Sequence, residues 1–149
     1  MSYLVETPVL LRLANPSDPQ YPVADTAVSR LQMRGETLHI APQNLIEFRN
    51  GATRPLEANG LGLPPSVVEA QAEKFKQKFL LLLETPAIFP AWEALVQSAG
   101  VTGKQVHDAR LVAICHVYGV SHILTFNVRH FARLAEYGPG VIIVDPNEI

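Results

Sequence analysis

The stretch Val106-His107-Asp108-Ala109-Arg110-Leu111-Val112-Ala113-Ile114-Cys115-His116-Val117-Tyr118-Gly119-Val120-Ser121-His122-Ile123-Leu124-Thr125 reads as a long apolar-rich helix, a glycine stop after Tyr118, and a buried strand. On such a helix Asp108, Leu111, Val112 and Cys115 share one face, so a carboxylate crowns a stripe that packs on a sheet. Downstream lie a short helix from Arg129 to Ala135, a Gly138-Pro139-Gly140 turn and a final strand, Val141 to Val144. Upstream, Tyr3-Leu4-Val5 reads as a strand feeding a helix that begins at Pro8. A loop from Asn15 to Pro19 follows, then a helix from Pro22 to about Arg34, stopped by Gly35. Leu38-His39-Ile40 is a second strand, and Pro42 opens a helix that runs to Thr53. Leu56 to Leu63 is a loop by its glycines and its Asn-Gly pair, and Pro64-Pro65-Ser66 starts a helix through Lys78. Leu80 to Leu83 suits a third strand or a helix tail equally, and Pro90 begins a helix to about Ser98. The strands lack polar alternation, so both sheet faces are covered. Alternating strands and helices then make a three-layer α/β/α sandwich on a mainly parallel sheet.

The chain of 149 residues is the length of a single domain spanning 1–149. Its 48% apolar and 17% charged residues, with mean hydropathy +0.12, exclude disorder as the main state. A formal charge of −2 gives no general attraction for polyanions, so any nucleic-acid contact needs a local basic patch. The single cysteine, Cys115, cannot form an internal disulfide, and Glu6 interrupts any signal-peptide core, which makes the cytoplasm the expected location. The apolar run from Phe79 to Leu83 is too short to span a bilayer, and no membrane partner is expected.

In an open parallel sheet, functional groups gather at the carboxyl ends of the strands. Glu6 leaves the first strand, Glu47 lies early in the helix after the second, Asp108 is in the first turn of its helix, and Asn127 follows the strand ending at Thr125. Singly each has an ordinary reading: Asp108 as an acid favoured by the helix dipole, Glu47 as a solvated helix acid, Glu6 as a cap. Together, three carboxylates and an amide oxygen at one edge repel and lose hydration unless a cation sits among them. Hard divalent ions take such oxygen ligands, and Mg²⁺ or Mn²⁺ is the expected cofactor, with phosphodiester hydrolysis the natural chemistry. Thr7 and Thr125 are candidates to hydrogen-bond the carboxylates from behind, and read equally as cap and strand-end threonines.

The motifs resemble those of PIN-domain ribonucleases, in particular the VapC-type toxins of bacterial toxin-antitoxin pairs. Tyr3-Leu4-Val5-Glu6-Thr7-Pro8-Val9-Leu10-Leu11-Arg12 is similar to the family's opening motif, and Ala41-Pro42-Gln43-Asn44-Leu45-Ile46-Glu47-Phe48 to its second. Val106 to Ala113 resembles the third, and Gly119 to Phe131, with Thr125-Phe126-Asn127, the fourth. The resemblance implies a five-stranded, mainly parallel sheet and one or two Mg²⁺ or Mn²⁺ ions held by Glu6, Glu47, Asp108 and Asn127 as catalytic residues. It further implies an RNA substrate that is single-stranded, a cognate small antitoxin and a homodimer. Two positions depart from the pattern: Glu6 stands where Asp is usual and Pro8 where a polar residue is usual; Asn127 replaces a fourth carboxylate, as it does in some relatives. Weaker metal binding is expected, and a catalytically weakened RNA-binding or partner-binding module is the alternative.

Arg12, Arg49, Arg110 and Arg129 are the candidate RNA-binding cations, because phosphate neutralisation carries most sequence-independent affinity. Lys74, Lys76 and Lys78 read as a solvated helix face. His107 is adjacent to Asp108, but neighbouring helix residues point about 100° apart, so a surface role is expected for it. Cys115 reads as a buried apolar group, and Trp92 as core or the packing face of a dimer ahead of a platform for a base. A nucleotide-binding doubly wound domain is disfavoured, since no glycine-rich loop follows the first strand.

Overall fold

The computed structural model describes residues 1–138 and 140–149. Five strands among these form one parallel sheet in the order β3-β2-β1-β4-β5. They are β1 (Ser2–Val5), β2 (Thr37–Ile40), β3 (Leu80–Leu81), β4 (His122–Leu124) and β5 (Ile142–Val144). The central strand β1 pairs Leu4 with His39 of β2 and with Ile123 of β4, and β4 in turn aligns Ile123 with Ile143. Pairing of His39 with Leu80 and Ile40 with Leu81 decides the ambiguous leucine run in favour of a strand, though only two residues of it.

Among the described residues seven α-helices cover the sheet: α1 (Thr7–Leu13), α2 (Tyr21–Met33), α3 (Pro42–Thr53), α4 (Pro65–Lys78), α5 (Ile88–Ala99), α6 (Gln105–Tyr118) and α7 (Val128–Ala135). Proline stands in the first two positions of α1 through α4, where the missing N–H leaves no helical hydrogen bond unmade. Helix α5 begins two residues before the expected Pro90, which sits in its first turn for the same reason. Helix α6 ends at Gly119, whose φ of 68° is the left-handed conformation that a side chain resists. The expected Gly138-Pro139-Gly140 turn includes Pro139, which lies outside the described residues.

Two apolar layers result. On one face Tyr3, Val5, Leu38 and Ile40 of the sheet pack with Val28 and Leu31 of α2, Phe48 of α3 and Phe75 of α4. On the other, Leu4 and Ile123 pack with Leu95 of α5, Leu111, Val112 and Cys115 of α6, and Phe131 of α7. Cys115 is fully enclosed, and burial pushes its thiol up to about 12, the behaviour of a small apolar group. Among the described residues no helix is long and apolar enough to cross a membrane. The central position of β1 makes its side chains the most sensitive test of this packing. Leu4→Ala is expected to cost about 2–5 kcal/mol in urea denaturation, whereas Met33→Ala, at a position 81% exposed, stays within about 0.5 kcal/mol of the parent.

Candidate active site

Since all the strands run the same way, β1, β2 and β4 deliver their carboxyl ends to one edge. Glu6 follows β1 directly, its backbone extending the ladder by donating to Leu124 O at 3.1 Å. The residue is only 4% exposed, and its carbonyl accepts from Val9 N at 3.0 Å to start α1. Thr125 Oγ1, one step past β4 and fully buried, donates to Glu6 Oε2 at 2.8 Å. That hydroxyl also accepts from Asn127 N at 2.9 Å, so a single threonine binds the two strand exits together.

Glu47 is held from two directions. Thr7 Oγ1 donates to its Oε1 at 2.7 Å, and Gln43 Nε2, one helical turn earlier on α3, donates to its Oε2 at 3.1 Å. The same Gln43 nitrogen reaches the His107 carbonyl on α6 at 2.8 Å, tying α3 to the helix that carries Asp108. Asn44 Nδ2 donates to Thr7 Oγ1 at 3.2 Å, while Asn44 Oδ1 accepts from Ala41 N at 2.8 Å and caps α3. Thr7 and Thr125 thus each donate to a carboxylate, Glu47 and Glu6 respectively. Gln43 and Asn44 are additions, and the spacing of Gln43 to Glu47 on one helix was the readable sign of the first.

The three acids sense one another. Burial raises the Glu6 carboxyl to about 8, opposed by the Thr125 hydrogen bond and reinforced by the charges of Asp108 and Glu47. Burial likewise raises Asp108 to about 6, with Glu47 pushing it further and His130 and His107 pulling it back. None of the ion pairs among the described residues involves Glu6, Glu47 or Asp108. Their oxygens are the donor set a hard divalent cation takes, and their mutual repulsion is what such an ion relieves. In spacing they are neighbours rather than a closed cage: no three His, Cys, Asp or Glu side chains among the described residues converge to metal-binding distance. Asn127 is exposed on the rim, where it lines a cleft with Phe126, Arg129, His130 and Asp145. Its link to the acids runs through its backbone and Thr125.

The arginines divide. Arg12 bonds Gln20 at 3.1 Å and Asp18 at 3.4 Å beside the Phe126 ring, and Arg49 makes a forked pair with Glu69 at 3.0 and 3.1 Å. Arg110 Nη2 meets Glu84 Oε2 at 2.6 Å. Arg129 is exposed and enters no ion pair among the described residues. The partners of Arg49 and Arg110, 20 and 26 residues away, are not readable from the sequence. His130, beside Arg129, lies within electrostatic reach of Asp108.

A parallel sheet in this order, with acids from three separate segments at its carboxyl edge, is a PIN-like fold. The sequence matches no protein-family profile and no curated protein. Solved structures do share the architecture. VapBC2 from Rickettsia felis, bound to a DNA fragment from its promoter, is 14% identical with a TM-score of 0.69, over 97% of this chain and 98% of that one. FitAcB from Neisseria gonorrhoeae is 15% identical with a TM-score of 0.67, over 99% of each chain. VapC20 from Mycobacterium tuberculosis, a toxin that cleaves the sarcin-ricin loop, is 19% identical with a TM-score of 0.61, over 87% of this chain and 93% of that one. At these identities the likeness is one of fold.

A carboxyl raised by burial weakens the metal-free protein as pH rises. Between pH 4.5 and about 8 the unfolded chain releases the Glu6 proton while the folded chain keeps it, so stability falls across that window. Asp108, raised to about 6, contributes to the lower part of that fall; Glu6→Gln, measured in chelator, is therefore expected to remove the slope above about pH 6 and to exceed the parent by a few kcal/mol at the alkaline end.

Proposed function

We propose that the protein is a metal-dependent endoribonuclease that hydrolyses phosphodiester bonds of single-stranded RNA, acting as the toxin of a bacterial toxin-antitoxin pair. The observation that carries this reading is that Glu6, Glu47 and Asp108, after β1 and on α3 and α6, lie within electrostatic reach of one another at one sheet edge, and none of them enters an ion pair among the described residues. The PIN-like fold shared with VapC and Fit proteins supports it.

Glu6, Glu47 and Asp108, with the Asn127 amide oxygen at the rim, would hold Mg²⁺ or Mn²⁺. Bound there, the ion supplies neutralisation of the scissile phosphate and a water of lowered pKa. The chain's own contribution is orientation. Thr125 fixes one oxygen of Glu6, and Thr7 and Gln43 fix both oxygens of Glu47, so each carboxylate keeps a defined direction. Arg129, exposed beside Asn127, gives the phosphate backbone a cationic approach. A small antitoxin covering the acids and a homodimer belong to the same proposal. The fold shared with the VapBC2 and FitAcB structures supports the first of these.

The open spacing of the acids favours one further reading, a weakened PIN-like module that binds RNA or a partner without cutting. Glu6 extends one methylene beyond Asp, and Pro8 at the second position of α1 offers neither an N–H nor a polar side chain.

Incubation of the purified protein with an RNA pool separates the two. Cleavage with Mg²⁺ or Mn²⁺ that disappears in chelator is expected, and Glu47→Ala and Asp108→Ala should lower the rate by at least about 100-fold while remaining folded. RNA binding without cleavage under every metal condition would establish the weakened module instead. In calorimetric titration with Mn²⁺, the Glu6→Asp, Pro8→Asn double variant is expected to bind more tightly than the parent; equal affinity contradicts the role given to those two residues.

A further inference from the structure

Beside the acids lies a cleft that the proposed chemistry leaves unused. It has a volume of about 300 Å³ and is lined by Phe89 and Trp92 of α5 and by Val106, His107 and Arg110 of α6. The volume is at the lower end of small-molecule pockets, roughly 300–1,000 Å³. Arg110 on its wall donates to Gln43 Oε1 at 3.3 Å, and Gln43 in turn donates to Glu47 at 3.1 Å, so the cleft adjoins the acid site. The His107 carbonyl is held by the same Gln43 that orients Glu47, which fixes the cleft relative to the carboxylates.

The geometry points to a nucleobase subsite here, in which an unpaired base of single-stranded RNA stacks against Phe89 and Trp92 while its phosphate lies at the acids. This rests on the ribonuclease reading and adds to it the place where one base is held. Phe89 is 58% exposed although it is a large aromatic ring, and its centroid is 5.5 Å from that of Trp92 at an interplanar angle of 41°. The indole is anchored, because Trp92 Nε1 donates to Val106 O at 2.6 Å. With its only polar atom satisfied, the ring offers a face and not a hydrogen bond.

Arg110 decides between a base and a phosphate as occupant. Its guanidinium is engaged by both Glu84 oxygens, at 2.6 and 3.3 Å, and by Gln43 Oε1 at 3.3 Å. The charge is thus answered within the protein, and what remains for a ligand is a flat plane held in fixed orientation. Two aromatic rings and a compensated guanidinium plane make a surface on which a planar, uncharged heterocycle stacks, a mode common to proteins that bind single strands. A phosphate gains little there.

Trp92 is the only tryptophan, so its emission reports on the cleft directly. Titration of the intact protein with a short oligoriboadenylate in chelator, where cleavage cannot occur, is expected to quench Trp92. An abasic sugar-phosphate oligomer and inorganic phosphate should leave its emission unchanged. Phe89→Ala truncates an exposed ring and leaves the core intact; it should weaken oligoadenylate binding by about fivefold or more, and Phe89→Tyr should restore it. Equal quenching by the abasic oligomer, or unaltered affinity in Phe89→Ala, overturns the subsite. So does Trp92 emission that changes with protein concentration alone, which would mean that a second copy covers the cleft. Binding with quenching but no metal-dependent cleavage would sink the nuclease reading and leave the subsite standing; cleavage by a Phe89→Ala protein with unaltered affinity would do the reverse.

Discussion

A carboxylate buried with one hydroxyl for company is the constraint around which the rest of the molecule is arranged. Glu6 is withdrawn from water at the end of the central strand, with the Thr125 hydroxyl as its hydrogen-bond donor and two further acids within electrostatic reach. Ionising a carboxyl buried with so little compensation is expensive, and the cost shows as a pKa raised to about 8. A protein selected for stability alone would place an apolar residue there. The cost is tolerated where the negative potential is itself useful, and at the carboxyl edge of a parallel sheet that use is the capture of positive charge.

The hydrogen-bond net behind the acids shows the same division between holding and exposing. Asn44 caps α3 through its oxygen and steadies Thr7 through its nitrogen, and Thr7 passes that order to Glu47. Gln43 bridges Glu47 to the backbone of α6 and is itself touched by Arg110, which Glu84 restrains. Elements from both faces of the sheet are therefore joined by side chains at its edge, although their apolar cores are separate. Asp108 is the acid left less constrained: the shift of its carboxyl comes from burial and neighbouring charges.

Much of this was legible in the residues. Prolines at helix starts and glycines at helix ends are local signals, and they placed α1 through α4 and the end of α6 closely. The covered sheet was readable from unbroken apolar strands such as Ile123-Leu124, and the shared edge followed from parallel connectivity. Side-chain pairing over distance was not readable. Arg49 finds Glu69 twenty residues away and Arg110 finds Glu84 twenty-six away, so which cations remain free depends on tertiary geometry. Leu80-Leu81 was undecidable for a related reason: two residues carry no period, and only the ladder to β2 makes them a strand. The approach of the acids was legible, but not their spacing, which depends on rotamers and on the burial of each group.

The pairing of β1 with β4 is sealed at both ends, by Ser2 with Ser121 and by Glu6 with Thr125, each pair 119 positions apart. Closing so long a loop is entropically costly and slow. A ribosome releases Thr125 119 positions after Glu6, so during synthesis the acidic edge stays unassembled until all the chain between them has emerged.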